Sequence, residues 1–305
     1  MNIFIYTELR ESLRKEIREA FPDHSLHFFA ETGEKSFASA DILMGNPPKQ
    51  WFSQNQHALK FWQLDSAGFD QYQDAPVNAI VANMGDFFAV KCAETMVAGI
   101  MAFYRQINEL VRLQTEKKWV GKPLRYQLDL LTNKRVVILG AGTIGKSISK
   151  ILSGFDCSVK FMARSNPEAE IHDQETLIKT LPEIDVVINT LPGKAGMVVN
   201  RDVLKSMTQR CLYASVGRGN TTDEKALITL LEQGDIAGAV LDVTAQEPLP
   251  QDSPLWSMKN VILTQHSGGG HRLEDEGKVA LFIENATRFL KDEAVSNKVD
   301  LTQGY

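Results

Sequence analysis

The chain is poor in cysteine. It has three, Cys92, Cys157 and Cys211, each alone in an apolar or strand-like stretch and none in a CxxC pair. That excludes a disulfide framework and fits a reducing, cytoplasmic compartment. Long apolar runs are also missing, since none approaches the roughly 18–20 residues that span a bilayer. The opening MNIFIYTELRESLRKEIREAF passes from a short apolar strand into a charged helix, without the apolar stretch or small-residue cleavage site of a secretory leader. Charge of one sign is not in excess: Lys+Arg 33 against Asp+Glu 38 gives a net charge of -5, which argues against a dedicated nucleic-acid binder. No low-complexity linker and no fixed repeat period appears. The expected partners therefore include neither a membrane nor a nucleic acid. With 43 % hydrophobic and 23 % charged residues the chain can bury real cores, and its 305 residues suit two domains.

Its patterning is that of alternating strands and helices. NIFIY (2–6) precedes a stretch with Leu9, Leu13, Ile17 and Ala20 at helical spacing, and SLHFF (25–29), DILM (41–44), FWQL (61–64) and AIVA (79–82) read as further strands. A helix is predicted over 86–117, with Ala93, Met96, Val97, Ile100, Met101, Tyr104, Ile107 and Val111 on one stripe. A second series begins at VVIL (136–139). It continues through SVKFMA (158–163), DVVINT (185–190), CLYASV (211–216), IAGAVLDV (236–243) and NVILT (260–264), which supplies the six strands of a dinucleotide-binding sheet. A last helix is expected over about 271–291. The fold class is α/β with two parallel-sheet domains.

The strand VVIL runs into Gly140-Ala141-Gly142-Thr143-Ile144-Gly145 and then a helix. The first glycine permits a tight turn, the second lets backbone approach a pyrophosphate, and the third lets helix pack on strand. Thr143 and Ile144 open a helix whose N–H groups face the anion. A GxGxxG alone is also a common turn. Placed between an apolar strand and a helix, at the head of a six-strand series, it points to a dinucleotide. The second strand ends Phe161-Met162-Ala163-Arg164-Ser165, with no carboxylate to hold a ribose 2′-hydroxyl. Arg164 and Ser165 can instead meet a 2′-phosphate, so NADP(H) is expected, with NAD(H) as the alternative.

Three ionisable residues stand at strand ends of this series: Arg218 in VGRG, Glu247 in LDVTAQEPLP and His266 in ILTQHSGG. Strand ends in an open parallel sheet line one crevice. Reduction of a 2-keto acid needs an arginine for the carboxylate and ketone, a histidine to donate the proton, and a carboxylate to raise the imidazole's pKa and fix its ring. Taken singly, an Arg-Gly is a turn, a Glu-Pro a loop and a strand-end histidine a satisfied surface residue. Their joint order carries the weight. His24, His27, His57, His172 and His271 show no metal-ligand spacing, and no metal site is expected.

With these residues in view, the chain resembles the D-isomer-specific 2-hydroxyacid dehydrogenases. The resemblance runs through Leu64-Asp65-Ser66-Ala67-Gly68-Phe69-Asp70, Ala93-Glu94, GAGTIG, Thr190-Leu191-Pro192, VGRG, LDV with EPLP, SPLW (253–256) and NVILTQHSGGG. It implies that Arg218, Glu247 and His266 are catalytic, and that Ala67 and Gly68 join Arg218 and His266 in holding the substrate. It implies further that Asp242 contacts the nicotinamide amide and that Leu191, Pro192, Val216, Gly217 and Gly268 flank the cofactor. The family fold pairs a Rossmann domain, 96–271, with a discontinuous flavodoxin-like substrate domain, 1–95 and 272–305, completed by the C-terminal helix. The long helix is then a hinge and the interface of a homodimer. Thr95, Ser215 and Gln265 stand where many relatives have His, Asn and Pro. The Arg164-Ser165 pair resembles the NADPH-preferring glyoxylate/hydroxypyruvate reductase branch. A small 2-keto or 2-hydroxy acid is the implied substrate, with specificity in the loops 45–55, 66–70 and 83–88, and Trp51, Phe52, Phe87 and Phe88 lining a mouth or filling core. The alternative is a cofactor-sensing regulatory or interaction protein on the same fold.

Overall fold

The structure, a computed structural model, describes residues 1–33, 37–54 and 58–303; His57 and the last residue of the 45–55 loop lie outside the described residues. The chain divides into two compact units, Met1–Phe88 with His271–Tyr305, and Ala89–Gly270. No helix among the described residues is long and apolar enough to cross a membrane.

The first unit is built on β1 (Asn2–Ile5), β2 (Ser25–Phe28), β3 (Ile42–Met44), β4 (Phe61–Gln63) and β5 (Ile80–Ala82). These pair in parallel in the order β5-β4-β3-β1-β2, and a short strand, Lys298–Val299, adds antiparallel to β5. That is the flavodoxin-like order. Strands β3 and β4 are wholly buried because both sheet faces are covered. On one face the helix Glu11–Ala20 sets Leu13 and Ile17 against Val279, Phe282 and Ala286 of the helix Glu274–Leu290. Inside that helix the fully buried Asn285 donates to the side chain of Gln63 at 2.8 Å and accepts the N–H of Ser296, which ties the C-terminal segment to β4. The other face packs Phe4, Phe37, Trp51, Phe52, Trp62 and Tyr72 together. Trp51 and Phe52 are therefore core, not mouth; Phe87 and Phe88 are half-buried and meet edge to face.

The second unit carries β6 (Arg135–Leu139), β7 (Ser158–Met162), β8 (Val186–Asn189), β9 (Leu212–Ser215), β10 (Gly238–Leu241) and β11 (Val261–Leu263), all parallel, in the order β11-β10-β9-β8-β6-β7. All six expected strands form, but they are not the six of a complete dinucleotide sheet. The strand that belongs outside β7 has shrunk to one parallel bridge, between Ile171 and Met162. Counting that bridge restores the order 3-2-1-4-5-6, with β11 as an addition. Strands β8, β9 and β10 are buried along their whole length, whereas β7 alternates, as an edge strand with water on one side does.

The predicted helix over 86–117 is two helices, Ala89–Tyr104 and Ile107–Thr115. Gln106 stands between them in the left-handed region, at φ 53. The apolar stripe continues through the break, which is why periodicity alone spans it.

Candidate active site

The sheet order of the second unit reverses between β6 and β8, and the glycine loop sits at the carboxyl end of β6. Gly140 has φ +105, and a Cβ there would lie 2.5 Å from Thr190 Oγ1. A Cβ on Gly145 would lie 2.3 Å from the Gly140 carbonyl oxygen. Neither site admits a side chain, so helix and strand meet backbone to backbone. The helix Thr143–Ser153 follows, capped at Gly142 by no side chain. Its first internal bond runs from Lys146 N–H to Gly142 oxygen, which leaves the N–H groups of Thr143, Ile144 and Gly145 ahead of the helical ladder. Exposed Gly142 at such a terminus fits a pyrophosphate: a cradle without Cβ atoms and donors with the helix dipole behind them.

At the end of β7, Arg164 and Ser165 are exposed, and Arg164 Nη2 donates to the Ala195 carbonyl at 3.2 Å. Sequence reasoning missed two neighbours. Asn166 Nδ2 donates to Ala141 oxygen at 3.4 Å, and Lys146 pairs with Glu168 at 2.5 Å. The Glu168 carboxylate beyond this strand end is thus engaged by a lysine, and that of Glu170 accepts the Phe161 N–H at 2.8 Å.

The ends of β8 and β9 press together. Leu191 and Pro192 are half-buried, Val216 is buried, and a Cβ on Gly217 would lie 2.4 Å from Leu191 oxygen. Arg218 follows, half-buried, with Nη1 donating to Gly217 oxygen at 2.9 Å. The thiol of buried Cys92, on the helix Ala89–Tyr104, is pushed up to about 11 by burial; Asp242 adds to the rise and Arg218 opposes it. Both charged groups therefore lie near the same helix.

Glu247 and His266 come from the loops after β10 and β11, 19 residues apart, and the structure brings them into direct contact: His266 Nδ1 lies 2.6 Å from Glu247 Oε2. Glu247 Oε1 also accepts the Thr244 N–H at 3.0 Å, so the carboxylate is held from its own loop. The pair opens on a cavity of about 410 Å³ whose walls include Leu249, Trp256 and Leu263.

Asp242 has a role that its expected contact with a nicotinamide did not suggest. It is 4 % exposed, and its carboxylate accepts Thr264 Oγ1 at 2.6 Å and the N–H groups of Ser267 and Gly268, both at 3.0 Å. Its backbone oxygen takes the N–H of His266. Gly268 is buried, a Cβ there would lie 2.7 Å from Asp242 Oδ2, and its carbonyl accepts Thr95 Oγ1 at 3.0 Å. The loop 264–268 is thus wound around one buried carboxylate, and it puts Gln265 and His266 consecutively in the left-handed region, at φ 57 and 53. Proline cannot adopt that angle, which gives Gln265 a physical reason.

In the first unit, Ala67 and Gly68 follow β4. The Ala67 carbonyl accepts Asn83 Nδ2 at 2.6 Å and that of Gly68 accepts Ser66 Oγ at 2.7 Å, which fixes the turn. Among the described residues no group of three or more His, Cys, Asp or Glu side chains could hold a metal ion.

Residues 97–268 match the family described as D-isomer specific 2-hydroxyacid dehydrogenase, NAD binding domain. The chain is 28% identical over 316 residues to glyoxylate/hydroxypyruvate reductase B of Pectobacterium carotovorum subsp. carotovorum, covering 98% of each. It superposes on a D-isomer specific 2-hydroxyacid dehydrogenase from Xanthobacter autotrophicus Py2, in complex with NADPH and MES, with TM-score 0.81 and 25% identity over 100% of this chain and 99% of that one. The NADPH-dependent glyoxylate/hydroxypyruvate reductase of Sinorhizobium meliloti, in complex with NADP and sulfate, shares the fold at TM-score 0.83 and 20% identity, over 100% and 99% of the two chains.

Proposed function

The chain belongs to the D-isomer specific 2-hydroxyacid dehydrogenases, a family of NAD(P)-dependent oxidoreductases, and we propose that it reduces small 2-keto acids of the glyoxylate and hydroxypyruvate type to D-2-hydroxy acids, preferring NADP(H). The observation that carries this reading is the 2.6 Å contact of His266 with Glu247 at the carboxyl edge of the same sheet that carries the glycine loop.

The division of labour follows from the residues. Bound NAD(P)H supplies the hydride that reaches the carbonyl carbon. Glu247 accepts the Nδ1 proton of His266 and holds the ring in one orientation, so Nε2 is the atom that delivers a proton to the carbonyl oxygen. Arg218 binds the substrate carboxylate and polarises the carbonyl through charge-assisted hydrogen bonds, and Ala67 and Gly68 offer backbone N–H groups to the carboxylate. Gly140, Gly142, Thr143, Ile144 and Gly145 hold the pyrophosphate, Leu191, Pro192, Val216, Gly217 and Gly268 flank the cofactor, and Arg164 with Ser165 meets a 2′-phosphate. Asp242 acts by shaping the loop that presents His266. Met1–Phe88 with His271–Tyr305 is the substrate unit and Ala89–Gly270 the dinucleotide unit. A cytoplasmic setting suits its three free thiols.

We also propose a homodimer. Ile107, Leu110, Val111, Trp119, Tyr126 and Leu130 are exposed within one short stretch, and Trp119 is 96% exposed. So much apolar surface suits burial against a second copy.

The test is a panel of glyoxylate, hydroxypyruvate, pyruvate and phenylpyruvate with NADPH and NADH, followed by loss of reduced nicotinamide. Turnover of at least one acid is expected, faster with NADPH. Arg164→Asp should reverse the cofactor preference. Tight NADPH binding without turnover of any acid would replace this reading with the cofactor-sensing one.

A further inference from the structure

A buried polar cluster lies beneath the turn that carries Arg218. Asn189 ends β8, and its amide works in two directions. Oδ1 accepts the N–H of Leu191 at 3.0 Å, while Nδ2 donates to Thr221 Oγ1 at 2.8 Å and to the Tyr213 hydroxyl at 3.0 Å. The Thr221 hydroxyl in turn donates to the backbone oxygen of Arg218 at 2.6 Å, and the Thr221 N–H reaches the same oxygen at 3.1 Å. The Tyr213 and Thr222 hydroxyls share a 2.5 Å bond. Asn189, Tyr213 and Thr221 are each 0% exposed.

Polar groups buried so deeply cost free energy unless every bond is made, and an apolar set of the same volume would hold strands together as well. What an apolar set does not supply is direction. A side-chain amide bonded at both ends has one pose, and this one joins the turn after β8 to the turn after β9. The close approach of Gly217 to Leu191 leaves no slack between those turns. Arg218 is then tied at two points, by its carbonyl to Thr221 and by Nη1 to the Gly217 oxygen.

We propose that Asn189 and Thr221 are positioning residues for Arg218, fixing its guanidinium relative to the Leu191 turn so that substrate carboxylate and cofactor share one rigid frame. This rests on the reductase reading for its chemistry. It predicts a coupling that a general stabilising role does not: removing the Thr221 hydroxyl harms only what Arg218 does.

The experiment compares the wild type with Thr221→Val, Thr221→Ser, Arg218→Ala and the double variant Arg218→Ala with Thr221→Val. Readouts are kcat/KM for the best 2-keto acid, Kd for oxamate in the presence of NADPH, and Kd for NADPH alone. Thr221→Val should lower kcat/KM and weaken oxamate about tenfold, the scale of one buried hydrogen bond, with NADPH affinity within about twofold of wild type. Thr221→Ser, which keeps the hydroxyl, should restore both. In the Arg218→Ala background Thr221→Val should cost nothing further in kcat/KM, because two groups that act as a unit are not additive. Should Thr221→Val not fold, Thr221→Ala removes the same hydroxyl with less bulk. An equal loss with and without Arg218, or an equal loss of NADPH affinity, would overturn the proposal. If the wild type binds oxamate but reduces no acid, the reductase reading falls, and the oxamate series of Thr221→Val and Thr221→Ser still decides this inference. If the wild type does not bind oxamate, Arg218 anchors no carboxylate and the inference falls too.

Discussion

Nδ1 of His266 lies 2.6 Å from Oε2 of Glu247, although the two residues belong to loops that follow different strands. That contact engages Nδ1 and leaves Nε2 as the ring atom on which the proposed proton transfer depends.

Removing the imidazole should therefore remove the proton donor without removing the cofactor. His266→Asn is expected to lower kcat by roughly 10²–10⁴, the usual worth of general acid catalysis, while NADPH affinity stays near wild type. Glu247→Gln keeps an acceptor oxygen for Nδ1 and should cost less than His266→Asn. Steady-state kinetics with parallel fluorescence titration of NADPH checks both, and equal losses in turnover and NADPH affinity would show a folding defect instead.

Asp242→Asn keeps one oxygen for the three donors that meet on Oδ1, but it removes the charge behind those bonds and sets an N–H group where Oδ2 accepts the Gly268 N–H at 3.2 Å. A stability loss of about 1.5–3 kcal/mol is expected, the range for hydrogen bonds to a charged group. Because the weakened bonds hold the 264–268 loop, kcat should fall as well. Denaturant unfolding gives the first quantity and a kinetic assay the second; unchanged turnover would separate Asp242 from the placing of His266.

Gly217→Ala puts a methyl 2.4 Å from the Leu191 backbone oxygen and 2.7 Å from its nitrogen. Backbone cannot yield as a flexible side chain does, so a cost of about 1–3 kcal/mol is expected, as for overpacking elsewhere. NADPH affinity should fall together with substrate affinity, since the turns after β8 and β9 move apart. Thermal unfolding and NADPH titration of this variant provide the check.

Burial pushes the Asp65 carboxyl above its ordinary value, against the pull of Lys278 and of the Thr7 hydroxyl, which donates to it at 3.1 Å. A raised carboxyl keeps its proton longer in the folded state than in the unfolded one. The stability linked to it is complete below the unfolded value, near about 4, and is lost as pH rises through the folded value. Asp65→Asn should accordingly raise Tm at neutral pH and match the wild type in acid. Tm measured across pH would show a gap that opens upward; a gap of constant size would refute the linkage.

Much of this was legible in the sequence because parallel strands covered on both faces must be apolar throughout, and VVIL, DVVINT and CLYASV say so directly. The glycine loop was legible for a related reason: Gly140 and Gly145 stand where no Cβ fits. Three features were not. The break at Gln106 leaves the apolar stripe intact, so periodicity passes through it. The single bridge at Ile171 has no run of residues to betray it. The links of Asp242 to Thr264 and of Asn189 to Thr221 join residues 22 and 32 positions apart, and local patterning carries no trace of such pairs.

The bridge at Ile171 leaves β7 as an open rim, and such rims invite a foreign chain to add itself as another strand. Here Glu170 bends back so that its carboxylate accepts the Phe161 N–H at 2.8 Å, and Lys160 stands outward beside it. One acidic side chain occupies the donor that an invading backbone would need. The rim of the dinucleotide sheet thus has this donor satisfied from within its own chain, with charge beside it, where a bare strand would offer it to a neighbour.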